Sequence, residues 1–179
     1  MKVCLLSDSH DRGDLLVAAV EEAVTRGAEA VLHCGDVVAP STLNRVLRGV
    51  TIPIHVIHGN NTGDLVGLLG LAHRSSGRLH YYGQDATLTL GGRRIFMVHY
   101  PHYARALALT GDYDLVCCGH EHRVWIEEVA NVRGGRTVCV NSGTVGGVGA
   151  AAHYLMGDLS SLTFEVFPVP GTAPQIVSA

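Results

Sequence analysis

Short apolar runs that end in polar residues recur along the chain. A strand buried on both faces of a parallel sheet is apolar throughout, and its carboxyl end lies where such sheets bind ligands. The five runs and their endings are Val3–Ser7 before Asp8-Ser9-His10, Ala30–Cys34 before Gly35-Asp36, Ile54–His58 before Gly59-Asn60, Ile95–Val98 before His99, and Leu115–Cys118 before Gly119-His120-Glu121-His122. The pattern predicts that parallel strands bring these polar side chains to one edge of the fold.

Segments of helical periodicity separate the first three strands. Leu15–Val24 carries apolar residues at helical spacing, and Asp11 or Asp14 is its predicted N-cap. A second helix is predicted over Pro40–Arg48, between the second and third strands. Two successive strand–helix–strand units are typical of a parallel sheet with right-handed crossovers.

The stretch 61–77 has two interpretations. Its leucines, between Leu65 and Leu71, predict a short helix, whereas the interspersed glycines weaken a helix. The alternative is a mobile flap over the polar edge.

The second half of the chain has the rhythm of short strands, with one further helix. The predicted elements are the strands Leu79–Tyr82, Ala86–Leu90 and Arg93–Val98, a hairpin turn at Gly91-Gly92, the helix Tyr103–Leu109, and the strands Tyr113–Cys118, Val124–Val129, Thr137–Val140, Ala152–Leu159 and Leu162–Phe167. We therefore expect an α/β fold of two mixed β-sheets packed as a sandwich and flanked by α-helices. A chain of 179 residues predicts one domain over residues 1–179, with a loose tail from about residue 168.

Composition narrows the choice of partners. The formal net charge is -3, so the chain lacks the excess of positive charge on which binding to the phosphates of nucleic acid depends. A nucleic-acid partner is therefore not indicated. No apolar run approaches the roughly 20 residues of a membrane span, and the first strand begins at Met1 without a basic leader, so we expect no membrane partner. All five cysteines lie in apolar runs without a Cys-x-x-Cys pair, which favours free thiols in a reducing compartment and predicts a cytoplasmic protein.

The polar endings have the composition of a metal centre. They supply seven candidate ligands: Asp8, His10, Asp36, Asn60, His99, His120 and His122. Asp8 and His10 are spaced i, i+2, as are His120 and His122. At a strand end this spacing places both side chains of a pair on one side. Seven oxygen and nitrogen donors exceed the need of one ion, and a carboxylate can bridge two ions about 3.5–4 Å apart. We predict a centre of two divalent ions bridged by Asp36.

In this order the endings resemble the motifs of the calcineurin-like metallophosphoesterase family, in particular its small bacterial and archaeal phosphodiesterases, over nearly the whole chain. The resemblance implies the same sandwich fold. It assigns Asp8, His10, Asp36 and His122 to one ion, and Asp36, Asn60, His99 and His120 to the other. It also implies a dinuclear-metal-dependent phosphodiesterase that hydrolyses P–O bonds by in-line attack of a metal-bridging hydroxide, with Asp8, Asp36, Asn60 and His99 as catalytic residues.

The expected substrate is a small phosphodiester or phosphomonoester. Arg12, Asn61 and His102 are the candidate substrate contacts, and His58 lies just before the Gly59-Asn60 motif. Asn61 stands where family members with Gly-Asn-His-Glu carry a histidine. The segment 141–144, Asn-Ser-Gly-Thr, resembles the family's Asn-Pro-Gly-Ser loop, and it either lines the site with backbone amides or forms a tight turn.

Several alternatives stay open. Mn is the expected metal, with Fe, Zn and Ni as alternatives, because mixed Asp, Asn and His ligands suit all four. The competing function is a non-catalytic metal-binding scaffold of the same fold. The retromer subunit with this fold is such a protein and has lost part of the ligand set, whereas this chain has the complete set, including His10. The oligomeric state is open, and we interpret the remaining histidines (His33, His55, His73, His80 and His153) as surface or satisfied core residues.

Overall fold

The computed structural model describes residues 1–172, in which strands and helices alternate as far as the fourth strand and strands predominate thereafter. The strands are β1 (Lys2–Leu6), β2 (Ala30–His33), β3 (Ile54–Val56), β4 (Leu79–Tyr81), β5 (Asp85–Leu90), β6 (Arg93–Val98), β7 (Leu115–Cys118), β8 (Val124–Ala130), β9 (Arg136–Ser142), β10 (His153–Asp158) and β11 (Thr163–Pro168). The helices are α1 (Gly13–Thr25), α2 (Pro40–Gly49), α3 (Leu65–Arg74) and α4 (Pro101–Thr110).

The strands form two mixed sheets, as predicted. The first sheet has the order β11-β10-β1-β2-β3-β4, and the second has the order β5-β6-β7-β9-β8. Strands β1 to β4 are parallel to one another, as are β6, β7 and β9, while β10, β11, β5 and β8 pair antiparallel with their neighbours. Each sheet therefore has a parallel centre whose strands end at one edge.

The hydrophobic core separates four layers. Along β1, Val3 and Leu5 belong to the cluster shared with residues of the second sheet such as Ile95, whereas Cys4 and Leu6 belong to the cluster shared with α1, α2 and α3. This alternation follows from the two-residue period of a strand, which sends successive side chains to opposite faces. A third cluster packs α4 on the other face of the second sheet. The result is the predicted sandwich flanked by helices.

The stretch 61–77 contains the helix α3, so the helical interpretation is confirmed. The Asp64 side chain caps it by accepting a hydrogen bond from the Gly67 N–H at 2.7 Å. The hairpin turn is also confirmed: Leu90 pairs with Arg93, and Gly91 and Gly92 have φ of 55° and 76°, a left-handed conformation that suits glycine.

The predicted N-cap of α1 is wrong. Arg12 occupies the cap position without a side-chain hydrogen bond. Asp11 instead accepts hydrogen bonds from the Ala39 N–H and the Thr42 hydroxyl, both at 2.8 Å, and so fastens the loop after β1 to the start of α2. The Asp11 side chain therefore bonds to residues distant in the chain and does not cap the helix that follows it.

The beginning of the tail is packed. Val169 is buried against the helical side of the first sheet, and the Thr172 hydroxyl donates to its carbonyl. The rest of the predicted loose tail, 173–179, lies outside the described residues. All five cysteines are buried and free. Among the helices of residues 1–172, none has the length and apolar character needed to cross a membrane.

Candidate metal centre

The loops after β1, β2, β3, β6 and β7 converge at one edge of the two sheets, as the apolar runs predicted. Backbone hydrogen bonds join them directly: the Asp8 N–H donates to the Gly35 carbonyl at 2.9 Å, and the His10 N–H donates to the Asp36 carbonyl at 3.0 Å. The Gly119 N–H donates to the His99 carbonyl at 3.1 Å. The parallel strands thus hold the candidate ligands on one continuous framework.

The first donor group consists of Asp8, His10 and His122, whose ligand atoms lie within 4.8 Å of one another. Asp8 Oδ1 lies 3.2 Å from His122 Nε2 and 3.7 Å from His10 Nε2, and the two Nε2 atoms are 3.1 Å apart. His122 Nδ1 donates to the Val148 carbonyl at 2.6 Å, so a neutral ring carries its lone pair on Nε2. Two acceptors, Asp8 Oδ1 and His122 Nε2, therefore face each other.

The second donor group consists of Asp8, Asp36 and His99, whose ligand atoms also lie within 4.8 Å of one another. His99 is at its centre. Its Nδ1 donates to the Cys34 carbonyl at 2.8 Å, which leaves the lone pair of a neutral ring on Nε2. Nε2 lies 3.0 Å from Asn60 Oδ1 and 3.5 Å from Asp36 Oδ1. The ring of His120 lies 5.1 Å from the ring of His99, so this histidine is on the same side of the centre. Here too a nitrogen lone pair faces carboxylate oxygen.

Asp36 joins the two groups. Its Oδ1 faces His99, and its Oδ2 lies 3.7 Å from His10 Nε2. Burial alone would raise the pKa of Asp36, but two hydrogen bonds from Asn61, together with nearby His99 and His10, hold that pKa below its usual value. The carboxylate is therefore kept ionised between two sets of donors, which is the arrangement that a bridging ligand needs.

Asp8 Oδ1 is buried and has no hydrogen-bond partner among residues 1–172. The other oxygen of this carboxylate, Oδ2, accepts a hydrogen bond from the His120 N–H at 2.9 Å. A buried carboxylate oxygen without a donor is costly unless a cation satisfies it. The orphaned atom points to a cation beside Asp8.

The backbone of the centre is strained. Asp8, His10, Asp36, His120 and His122 all have φ between 43° and 71°, in the left-handed region that non-glycine residues rarely adopt. Each such residue costs of order 1–3 kcal/mol, and such strain concentrates at functional sites. The surrounding fold thus holds these side chains in place at the expense of stability.

Two glycines allow the loops to approach one another. A Cβ on Gly59 would overlap Asp36 Oδ1 and the His99 ring, and a Cβ on Gly119 would overlap the Ser7 hydroxyl and Asp8 Oδ2. Any side chain at either position would displace a candidate ligand.

The segment 141–144 holds the backbone of two of the loops that carry the candidate ligands. The Thr144 hydroxyl donates to the Asp8 carbonyl at 2.8 Å, and the Asn141 side-chain amide donates to the Gly119 carbonyl at 2.8 Å. The Gly143 N–H donates to Asn141 Oδ1, as in a tight turn. The described contacts favour the turn interpretation over a loop whose amides face the site.

The three candidate substrate contacts lie in different settings. Arg12 is half-exposed and pairs with Asp14 at 4.0 Å. His102 is exposed on α4, with its ring 4.2 Å from that of Tyr103. Asn61 donates its backbone and side-chain N–H groups to Asp36, so in this structure it holds a candidate ligand.

His33 matches its interpretation as a satisfied core residue, whereas His55 matches it only in part. His33 is fully buried, accepts from the Gly35 N–H at 3.2 Å and contacts the Ser9 hydroxyl at 3.1 Å; burial and the nearby His99 lower its pKa to about 3. His55 is buried, stacks on His80 with ring centroids 4.9 Å apart, and contacts the Tyr82 hydroxyl through Nδ1 at 2.8 Å. Its Nε2, however, is buried without a hydrogen-bond partner among residues 1–172. Sequence reasoning missed the carbonyls of Cys34 and Val148, which orient the candidate ligands His99 and His122, because a backbone carbonyl leaves no signal in residue type.

The sequence matches a known protein family and a curated relative. The sequence model of the calcineurin-like phosphoesterase superfamily domain matches residues 1–162. Over 135 residues the chain is 27% identical to a curated phosphodiesterase of Methanocaldococcus jannaschii, covering 74% of this chain and 80% of the relative.

Three solved structures share the fold. An archaeal phosphodiesterase superposes with a TM-score of 0.84 at 22% identity, covering 94% of this chain and 99% of its own. A phosphoesterase from E. coli has a TM-score of 0.62 at 19% identity, with 94% and 100% covered. Vps29 of Chaetomium thermophilum has a TM-score of 0.61 at 15% identity, with 93% and 95% covered.

Proposed function

The chain belongs to the calcineurin-like phosphoesterase superfamily, and from that premise we propose that it is a phosphodiesterase that depends on a centre of two divalent metal ions. The observation that carries the proposal is the pair of adjoining donor groups, between which the two oxygens of Asp36 lie 3.7 Å from His10 Nε2 and 3.5 Å from His99 Nε2. In each group a histidine lone pair faces a carboxylate oxygen, and Asp8 Oδ1 is buried without a donor. A cation beside His122 Nε2 and Asp8 Oδ1, and another beside His99 Nε2 and Asp36 Oδ1, would offset the repulsion between these facing lone pairs.

The candidate ligands divide between the two ions as the family motifs imply. Asp8, His10 and His122 would hold one ion, and Asn60, His99 and His120 would hold the other. Asp36 would contribute one oxygen to each. The distances of 3.5 and 3.7 Å from its oxygens to the two groups support this division.

Two bound divalent ions would give the centre a net positive charge that attracts the anionic phosphate. They would also polarise the phosphoryl oxygens and lower the pKa of a water. The chain's own residues fix the geometry. The Cys34 and Val148 carbonyls orient His99 and His122, Asn61 orients Asp36, and the left-handed backbone at Asp8 holds its carboxylate inward.

The proposed reaction is in-line attack on phosphorus by hydroxide, formed when a water loses a proton to solvent. The P–O bond to the leaving group breaks, and the departing alkoxide or aryloxide takes up a proton from solvent where its basicity requires one. Asn61 follows Asn60, and its side-chain amide is a hydrogen-bond donor to Asp36 that cannot supply a proton to the leaving group. The named activities of the Methanocaldococcus jannaschii relative and the archaeal structure support a phosphodiester substrate. We further propose Mn as the ion, with Fe, Zn or Ni as alternatives.

The family match over residues 1–162 supports a single catalytic domain. The five buried free thiols support the proposed cytoplasmic location, since a reducing compartment keeps thiols free. A non-catalytic scaffold remains the competing function, given the shared fold with Vps29. The full set of candidate ligands, including His10, favours the enzyme.

Reconstitution tests the proposal. The purified chain is stripped of metal with a chelator, reloaded with Mn²⁺, and assayed for metal content and for hydrolysis of bis(4-nitrophenyl) phosphate and 4-nitrophenyl phosphate. We expect turnover that requires the added ion and favours the diester. Full activity after metal removal would contradict the proposal, and tight binding of two ions without turnover of either ester would favour the scaffold.

A further inference from the structure

A cavity of about 600 Å³ adjoins the candidate metal centre. His99 and Gly59 belong to its lining, so it is continuous with the second donor group. The rest of the wall is largely aromatic and aliphatic, and includes Phe96, Tyr103 and Leu107. Its volume lies within the roughly 300–1,000 Å³ of small-molecule sites, which are likewise lined by apolar and aromatic side chains.

The wall exposes an aromatic surface. Tyr103 on α4 is 52% exposed, and its ring meets that of Tyr100 edge to face, with centroids 6.0 Å apart. Phe96 on β6 is partly buried, with its ring 5.0 Å from that of Tyr113. Aromatic rings gain from edge or offset contact with another ring, so a flat aromatic occupant would cover these faces.

The charges of the lining determine which part of a substrate can enter. The lining contains no lysine or arginine, and Asp85 places a carboxylate there. An anionic phosphate is therefore disfavoured within the cavity itself. An uncharged substituent of a phosphate bound at the donor groups is compatible with it.

We propose that this cavity binds an aromatic substituent of the phosphodiester, while the phosphate lies at the metal centre; the proposal rests on the phosphodiesterase function above. Phe96, Tyr103 and Leu107 form the apolar surface for the ring, and Ala106 marks the space that the ring fills. The enzyme is then selective for diesters that carry an aryl or heteroaromatic group.

Two phosphonates test this proposal without turnover. Phenylphosphonate and methylphosphonate present the same anion with and without a ring, and calorimetry on the Mn²⁺-loaded protein gives the Kd of each. Burial of a phenyl ring should make phenylphosphonate bind roughly tenfold more tightly than methylphosphonate. Equal affinities in the wild type would overturn the proposal.

Matched variants locate the effect. Ala106→Trp fills the cavity from an exposed position of α4, and it should bring the ratio of the two Kd values to about one. Leu109→Trp adds the same ring on the same helix, at a residue that is 49% exposed and outside the lining, and it should keep the wild-type ratio. A ratio that Ala106→Trp leaves unchanged would overturn the proposal.

Turnover of bis(4-nitrophenyl) phosphate, measured on the same samples, separates the two hypotheses. Hydrolysis without a preference for phenylphosphonate overturns only the aromatic site. Preference for phenylphosphonate without hydrolysis overturns the phosphodiesterase function and leaves an aromatic-binding cavity beside a phosphonate site.

Discussion

Asn61 holds both oxygens of Asp36: its backbone N–H donates to Oδ1 at 2.8 Å, and its side-chain amide donates to Oδ2 at 2.7 Å. An ionised carboxylate has about four lone-pair sites, so each oxygen keeps one for a second partner. Those second sites face His99 and His10, on the two sides of the candidate centre. A residue that the sequence suggested as a substrate contact thus orients the carboxylate that we propose as the bridge.

Asp36→Asn should abolish the paired binding of metal. A bridge between two cations needs two charged oxygens, and an amide offers one neutral oxygen and an N–H₂ group. Elemental analysis of the purified variant should show less than about half the wild-type content of metal, with turnover of the diester lost.

Asp112→Asn is the matched control, because it makes the same change at a carboxylate that pairs with Arg133 and with none of the candidate ligands or substrate contacts. It should keep both metal content and turnover. If Asp36→Asn instead retains two tightly held ions and wild-type turnover, Asp36 is not the bridge.

Gly59→Ala should disrupt the second donor group. The added Cβ would overlap Asp36 Oδ1 and the His99 ring, so at least one of these side chains must move. A misplacement of about 1 Å can cost roughly 100-fold in rate, so we expect kcat/KM for the diester to fall by at least tenfold. Steady-state kinetics together with metal analysis would measure this.

Gly135→Ala is the corresponding control, since its Cβ would meet only Asn131, at 3.6 Å or more, and requires no change of backbone conformation. It should retain wild-type kinetics. Wild-type kinetics in Gly59→Ala would mean that the close approach of these loops is not needed for the reaction.

The sequence predicted the polar edge well because buried parallel strands leave a strong signal. The apolar run at β2 and its abrupt end before Asp36 depend only on the two-sided burial of that strand. The hairpin at Gly91-Gly92 was equally predictable, since its turn needs residues that tolerate positive φ.

Contacts between distant segments were not predictable in the same way. Asp11 looked like a local cap, but its partners Ala39 and Thr42 lie about 30 positions away in the chain. Cys34 looked like one more buried apolar residue, yet its carbonyl orients His99, 65 positions further on. Such contacts depend on how the strands are placed beside one another, which residue type alone does not encode.

Stability should fall in acid partly through His55, which is away from the candidate ligands. Burial, with His80 alongside, lowers the pKa of His55 from 6.5 to about 4. Between these pH values the unfolded chain binds more protons than the folded chain. The contribution is therefore fully present above about pH 6.5 and is lost as the pH falls toward 4.

His55→Phe removes this proton uptake and preserves a ring for stacking. Between pH 7 and pH 4 the variant should lose about 3 kcal/mol less unfolding free energy than the wild type. Denaturant unfolding of metal-free protein at each pH measures the difference. His73→Phe, at an exposed position of α3, is the control and should keep the wild-type dependence of unfolding free energy on pH. If His55→Phe also keeps that dependence, His55 does not contribute to the loss of stability in acid.

The wild type should prefer esters with good leaving groups. Family members with Gly-Asn-His-Glu place a histidine after the metal-binding asparagine, whereas Asn61 stands there in this chain. General acid catalysis contributes typically about 10²–10⁴-fold, so its absence should slow esters with poor leaving groups most. Aryl diesters should therefore be hydrolysed much faster than alkyl monoesters, and strong alkyl monoesterase activity in the wild type would contradict this.

Asn61→His should reduce that dependence by supplying an acid, but it also removes the side-chain hydrogen bond to Asp36 Oδ2. Asn61→Ala removes the same bond without supplying an acid, and so is the control. We would measure kcat/KM for a bis-aryl phosphate, an aryl monophosphate and an alkyl diester in all three proteins, each at verified metal content. The rate for the alkyl diester, relative to the bis-aryl phosphate, should rise in Asn61→His and not in Asn61→Ala. Equal leaving-group dependence in the two variants would show that a histidine at this position does not protonate the leaving group.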